Sequence, residues 1–340
     1  MKRKNLILLA IVGVLIFTAY YFISSEGGGM RQDLRDFSIK DTASVTRIVI
    51  KDKTPAEVEL IKIDGRWKVD GKYNARPDVM NVLLTTLYRQ EMRNFTPEAA
   101  KERVIKELSV YGVEVQVFNG DKEVKRFYVG GNAPDLMGTY MMIHNATDPY
   151  VVHIEGFNGF LNTRYFTQAY QWRDRLVVDH KDNEIVKVEM NYSYNPEQSF
   201  VMERSGKDDF KVFSKSGVAI DFDSSAVRGY LEDWRNLRYE GMVVESDPAW
   251  KKRDSIMASI PVFEIMVTTR SGELSTIKGF RKDGRVDHSE NDGRPEDFDR
   301  DRMYALINNE NFVVIQFYVF DKITRPISYF ETDPSVVKNL

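Results

Sequence analysis

The central stretch of the first half reads Val58-Glu59-Leu60-Ile61-Lys62-Ile63-Asp64-Gly65-Arg66-Trp67-Lys68-Val69. Apolar and polar residues alternate on both sides of Asp64-Gly65, a dipeptide that favours the tight turn of a two-residue β-hairpin. We therefore expect two antiparallel strands, Val58–Ile63 and Arg66–Val69, with Trp67 as a core residue of the hairpin.

The residues around this hairpin predict more strands and one helix. Pro77 is typical of a first helical position, and apolar residues follow it at helical spacing over Asp78–Leu87. Alternating or apolar runs predict further strands at Val45–Ile50, Val113–Phe118, Val124–Val129, Tyr140–Ile143 and Tyr150–Ile154. The predicted fold class is α+β, with antiparallel sheet and helix in one module.

The second half repeats this order of elements. Strand patterns recur at Ile185–Met190, Ser199–Glu203, Gly206–Val212, Val262–Thr268, Leu274–Gly279 and Phe312–Ile315. A helix is predicted at Ser224–Leu237, where Trp234 is expected in the core, and Phe210 takes the place of Trp67. The interpretation is two tandem related modules, residues 30–180 and 181–340, although such an order can also arise by chance in α+β proteins.

The N-terminus predicts a membrane anchor, residues 1–29. Lys2, Arg3 and Lys4 precede an uncharged run whose centre, Leu6–Ile23, would rise about 27 Å as a helix, close to the hydrocarbon thickness of a bilayer. Tyr20 and Tyr21 lie where aromatic side chains meet the headgroups. We expect one span in the bacterial inner membrane, with the N-terminus cytoplasmic and the bulk periplasmic. A removed signal peptide is the alternative, although a cut after Ser25 would put bulky Ile23 at position −3; a buried helix is the third.

Composition excludes several classes of protein. The 340 residues contain no cysteine, which removes disulfide frameworks, thiolate metal sites and a lipid-modified cysteine. A net charge of −3 gives no electrostatic reason for nucleic-acid binding. With four histidines and no recognisable catalytic motif, we expect neither an enzyme nor a cofactor.

The acidic segment 287–301 is the best metal candidate, with Asp297 and Asp299 as weak ligand candidates. Calcium takes six to eight oxygen ligands. An EF-hand loop, however, needs Gly at position 6, and counted from Asp287 that position is Asp292. Arg294 and Arg300 interleave with the acids, and Arg285 and Arg302 flank the segment. The simpler interpretation is a solvated loop that leads into a helix at Arg302–Leu306.

An aromatic cluster follows the last strand of the first module. It contains Tyr165, Tyr170 and Trp172, with Arg173 directly after them. Exported binding modules use such side chains on peptides and sugars, so the four residues are interaction candidates. The same cluster is equally typical of a segment that covers the core, and both interpretations stay open.

These patterns together resemble a known family. They are the hairpin Asp64–Val69, Leu83-Leu84 and Leu87 of the helix, Tyr111-Gly112-Val113, Phe127–Gly130, Gly138-Thr139-Tyr140 and Trp172-Arg173. With the N-terminal anchor, they resemble the domain-of-unknown-function 4340 family of bacterial envelope proteins, including those of Bacteroidota. The resemblance implies an extracytoplasmic α+β module, sometimes encoded near or fused to components of ABC-type transport and gliding-motility systems. It implies no catalytic residues.

The leading hypothesis is a non-catalytic, membrane-anchored periplasmic scaffold or accessory subunit with a protein partner in the envelope. Its context by family analogy is an ABC-type transport or gliding-motility assembly. The alternatives are a periplasmic glycan- or peptide-binding module and, less favoured, a metal-dependent hydrolase.

Overall fold

The computed structural model describes residues 12–18, 34–206, 209–284 and 298–332. Internal packing divides the chain into two compact units, Met1–Asp174 (unit 1) and Arg175–Leu340 (unit 2). The boundary predicted from the sequence lies slightly later, after residue 180. Both units combine antiparallel sheet with helices, which confirms the predicted α+β class.

Of the predicted anchor, only residues 12–18 are described, and they are helical. Leu6, Tyr20, Tyr21 and Ile23 lie outside the described residues. Among the helices that are described, none is both long enough and apolar enough to span a bilayer.

Unit 1 is built on a nine-stranded antiparallel sheet in the order β4-β3-β2-β1-β6-β7-β8-β9-β5. Its elements are β1 Arg47–Lys51, β2 Glu57–Ile63, β3 Arg66–Val69, β4 Tyr73–Asn74, α1 Pro77–Arg89, β5 Gln90–Phe95, α2 Glu98–Tyr111, β6 Val113–Asn119, β7 Lys122–Asn132, β8 Thr139–Ile143, β9 Tyr150–Ile154 and α3 Ala169–Trp172. Helix α1 packs Leu83 and Leu87 into the main core, and α2 packs Val104 and Leu108 into a smaller cluster with Tyr140.

Unit 2 contains an eight-stranded sheet in the order β13-β12-β11-β16-β17-β18-β19-β15, and β10 pairs separately with β14. Its elements are β10 Leu176–Val178, β11 Ile185–Tyr192, β12 Phe200–Arg204, β13 Phe210–Ser214, α4 Ser224–Glu232, β14 Leu237–Arg238, β15 Gly241–Met242, α5 Arg253–Ala258, β16 Phe263–Thr269, β17 Leu274–Phe280, β18 Arg302–Ile307, β19 Asn311–Gln316 and α6 Phe317–Phe320. Tyr230 and Leu231 of α4 pack into its core.

Apart from the short edge strand β4, the two large sheets have the same strand order. Their registers also correspond, because Leu60 of β2 lies opposite Ile48 and Val69, and Met202 of β12 lies opposite Val188 and Val212. Arg204 follows Met202 by two residues, as Lys62 follows Leu60, so Arg204 is the equivalent of Lys62. Phe210 precedes Val212 by two residues, as Trp67 precedes Val69, so Phe210 is the equivalent of Trp67. A common origin for the two units stays a prediction.

The hairpin of residues 58–69 forms as predicted. Asp64 and Gly65 have φ values of 49° and 76°, so both lie in the left-handed region that a tight two-residue turn of this hand requires. Lys62 then lies directly opposite Trp67 across the hairpin.

Two sequence predictions are wrong. Arg302–Leu306 is not a helix but most of strand β18, in which Met303, Ala305 and Ile307 are buried and alternate with more exposed residues. Pairing with β17 and β19 on both sides satisfies this backbone as a strand. The helix predicted at Ser224–Leu237 ends at Glu232, and Leu237 instead belongs to β14, which pairs with β10.

Candidate functional site

Two of the four aromatic-cluster candidates belong to the core of unit 1. Tyr165 and Trp172 are almost fully buried. The Tyr165 hydroxyl donates to the side-chain oxygen of Gln90, and burial raises the pKa of Tyr165 well above its ordinary value. The Trp172 indole N–H donates to the Phe166 carbonyl at 3.0 Å. These contacts support the core interpretation for both residues.

The other two candidates, Tyr170 and Arg173, are partly exposed. The Arg173 guanidinium lies 3.4 Å from the centre of the Tyr73 ring, a cation–π contact within unit 1. Of the four candidates, only Tyr170 and Arg173 are therefore available to a contact surface on this segment.

The acidic segment is described only from residue 298 onward, so Asp297 and His288 lie outside the described residues. Asp299 pairs with Lys282 at 2.8 Å and accepts backbone N–H groups from Asp301 and Arg302. Burial tends to raise the pKa of Asp299, but these hydrogen bonds outweigh it and hold that pKa below its ordinary value. In the part of the chain that is described, no group of three or more acidic or histidine side chains could hold a metal ion. Asp299 thus acts in a structural ion pair.

Each of the three described histidines has its own local partner. His144 is 3.0 Å from the Tyr128 hydroxyl, and His153 lies 3.6 Å from Glu91 across β9 and β5. His180 is buried in unit 2, where its backbone N–H donates to the Trp234 carbonyl. Each of these contacts supports local structure.

A pocket of about 290 Å³ opens on unit 1 between α1 and the β2–β3 hairpin. The residues that line it are Thr42, Ala43, Lys62, Trp67, Asn81, Leu84, Thr85 and Tyr88. Trp67 is partly buried against the main core, whereas Tyr88 is 48% exposed. We call this the α1–hairpin pocket.

The two faces of α1 explain why the pocket forms. Met80, Leu83 and Leu87 point into the core. Asn81, Leu84, Thr85 and Tyr88 stand at positions i, i+3, i+4 and i+7 of the same helix, so they share a neighbouring face, on which Leu84 is partly buried against the core and the other three are exposed. The hairpin forms the other wall of the pocket with Lys62 and Trp67, which are a cross-strand pair.

The pocket was not identified from the sequence, although a signal was present. Tyr88 is an aromatic residue on the exposed side of an amphipathic helix, a side that is usually polar, and Leu84 lies at the border between that side and the core face. The sequence does not show that the hairpin lies close enough to α1 to form the second wall, because that distance depends on how the unit folds.

The side chains of Lys62, Asn81 and Thr85 make no hydrogen bond or ion pair with any other described residue. A second and larger pocket, of about 510 Å³, differs because its charged side chains are already in ion pairs. Its cations Lys125 and Arg126 are paired with Asp36 and Glu123. The α1–hairpin pocket therefore offers uncommitted polar groups beside two aromatic rings, an arrangement suited to binding.

Residues 67–255, more than half of the chain, match the family model described as "Domain of unknown function (DUF4340)". No curated protein and no solved structure matches the chain. The matched region begins at Trp67 of the pocket, continues through α1 and extends into unit 2 as far as α5. The protein therefore belongs to the DUF4340 family.

Proposed function

We propose that the protein is a non-catalytic scaffold or accessory subunit of the bacterial envelope, held in the inner membrane by Leu6–Ile23, with both units in the periplasm. Its partner is a protein of an ABC-type transport or gliding-motility assembly. The apolar N-terminal pattern and the family resemblance support the location and the context.

One feature of both units carries the protein-partner proposal. Each unit exposes apolar side chains at the same corner of its fold, where a helix leads into the central strand. Tyr111 is 79% exposed at the end of α2, and Ile260 is 65% exposed after α5. Val110, which is also exposed, stands seven residues before Val117 of β6, as Ile260 stands seven before Val267 of β16.

Val117 and Val267 are equivalent because they pair with Ile48 and Val188, respectively. Isolated exposed apolar residues are common on protein surfaces. In both units, however, they lie at or just after the end of the helix that precedes the central strand, and apolar or aromatic anchors are what protein interfaces contain, which supports a shared use.

Photocrosslinking in native membranes tests this proposal. A photoreactive amino acid would replace Tyr111 or Ile260 in the full chain, and mass spectrometry would identify what it captures. We expect a membrane or ATPase subunit of a transport or motility assembly, captured equally well after chelation of divalent ions.

The matched controls are Val124 and Leu274, which are 39% and 55% exposed. Val124 lies at the end of the β6–β7 pair away from Val113, and Leu274 pairs with Thr268 at the end of β16 away from Ile260. Capture of the same proteins from the control positions would show non-specific labelling. That result, or capture of no envelope subunit from Tyr111 and Ile260, would reject the proposal.

A further inference from the structure

We propose that the α1–hairpin pocket of unit 1 is a saccharide-binding site for a sugar unit that carries a carboxylate. This inference is independent of the scaffold role, since the pocket involves neither Tyr111 nor Ile260.

The first argument is the chemistry of the pocket wall. A pyranose ring has apolar C–H faces and a rim of hydroxyl groups. Trp67 and Tyr88 provide flat apolar surfaces with polar edges for the ring faces. Asn81 and Thr85 provide donors and acceptors for the hydroxyl groups, and no other described residue uses them.

The second argument is charge. Lys62 carries the single formal charge among the residues that line the pocket, and no carboxylate lines it. The ammonium group of Lys40 lies 5.3 Å from the centre of the Tyr88 ring and adds a second cation at the rim. An anionic group on the ligand would meet positive charge that no protein carboxylate neutralises there.

The third argument compares a sugar with a peptide, which is the other ligand class that the sequence suggests. Extended peptides are commonly bound through backbone hydrogen bonds at a free sheet edge. Here β2 is paired with β1 and β3, and β3 is paired with β2 and β4. The hairpin wall therefore offers the ligand side chains rather than an open strand edge, which favours a sugar.

The fourth argument comes from the equivalent place in unit 2. Arg204, the equivalent of Lys62, lies with its guanidinium 4.1 Å from the centre of the Phe210 ring, and Phe210 is the equivalent of Trp67. The Arg204 Nε also donates to the Ile185 carbonyl at 2.9 Å. Unit 2 thus covers its aromatic residue with its own arginine, so the shared fold does not itself require an open aromatic wall.

The volume sets the size of the ligand. About 290 Å³ lies near the lower end of small-molecule pockets, which span about 300–1,000 Å³. This space suits one or two sugar units rather than a long chain lying along the surface.

Calorimetric titration of the full chain tests the proposal, in a detergent without a sugar headgroup so that the detergent does not compete. The probes are the disaccharide N-acetylglucosaminyl-N-acetylmuramic acid, which carries a carboxylate, and di-N-acetylchitobiose, which lacks it. We expect the acidic disaccharide to bind about tenfold more tightly, as one charge-assisted hydrogen bond predicts.

Lys62→Gln should remove that tenfold difference in affinity, and Tyr88→Ala should weaken the binding of both disaccharides. Both are surface changes that leave the core intact. Lys106→Gln and Tyr318→Ala are the matched controls, because they change an exposed lysine and an exposed tyrosine outside the pocket. The indole N–H resonance of Trp67, assigned with Trp67→Phe, should shift on binding.

Three results would overturn the proposal. Absence of binding by both disaccharides at millimolar concentration would exclude the site. Equal affinity of the unaltered protein for the two disaccharides would exclude recognition of the carboxylate. Binding that Lys62→Gln and Tyr88→Ala leave unchanged would show that the sugar binds outside this pocket.

Discussion

Replacing Trp172 with Ala should strongly destabilise unit 1. The side chain is completely buried, forms an edge-to-face pair with Phe166 at 5.4 Å, and donates a hydrogen bond to the Phe166 carbonyl. Truncation of a buried Trp to Ala typically costs about 3–5 kcal/mol, and a lost hydrogen bond adds about 1 kcal/mol. We therefore expect the free energy of unfolding of unit 1 to fall by about 4–6 kcal/mol.

Urea denaturation of the full chain, followed by amide hydrogen exchange within residues 34–174, measures this change. With a urea dependence of about 2 kcal/mol per molar, the midpoint for unit 1 should fall by about 2–3 M. Tyr170→Ala is the matched control, because Tyr170 is partly exposed and its loss should change stability by less than about 0.5 kcal/mol.

The opposite pattern would refute the reasoning. If Trp172→Ala left the unfolding midpoint unchanged but reduced capture of a partner, Trp172 would be a surface anchor. The core interpretation of the segment after Tyr165 would then be wrong.

Three smaller predictions concern the turn, the ion pair and a buried hydroxyl. Gly65→Ala should destabilise unit 1 by about 1–2 kcal/mol in urea denaturation, because alanine is strained at a φ of 76°, and an unchanged midpoint would contradict the turn geometry. Asp299→Asn should destabilise unit 2 by about 2 kcal/mol at neutral pH. Since folding lowers the pKa of Asp299, its contribution is complete above the ordinary value of 3.8 and is lost as the pH falls through the lower folded value, so thermal melts of the two proteins should converge in acid. Tyr230→Phe should destabilise unit 2 by about 1–2 kcal/mol, because it leaves the buried Ile323 carbonyl without its 3.0 Å donor, and an unaltered melting temperature would argue against that bond.

Local signals were enough to predict most of the strands. Asp64-Gly65 marks a turn by its own backbone preference, and Pro77 marks a helix start because its fixed φ suits that position. Such features depend on a few neighbouring residues, so a single sequence carries them.

Elements that depend on partners were predicted poorly. Arg302–Leu306 contains apolar residues at spacings that suit either a short helix or a strand, and the pairing of β18 with β17 and β19 decides between them. Strand β5 was missed because Gln90–Phe95 is mostly polar and is held in the sheet by β9. The aromatic cluster could not be divided from sequence alone, since Tyr165 and Trp172 differ from Tyr170 in burial rather than in residue type.

The sequence by itself determined the α+β class, the repeated order of elements and the family, because alternation, turn dipeptides and helical spacing are local properties. Only the tertiary structure decided that, apart from β4, the two large sheets share one strand order, and that Arg204 covers Phe210 whereas Trp67 lines a pocket beside Lys62. Strand pairing and pocket walls join residues that are far apart in the chain. Their distances depend on how the whole unit packs.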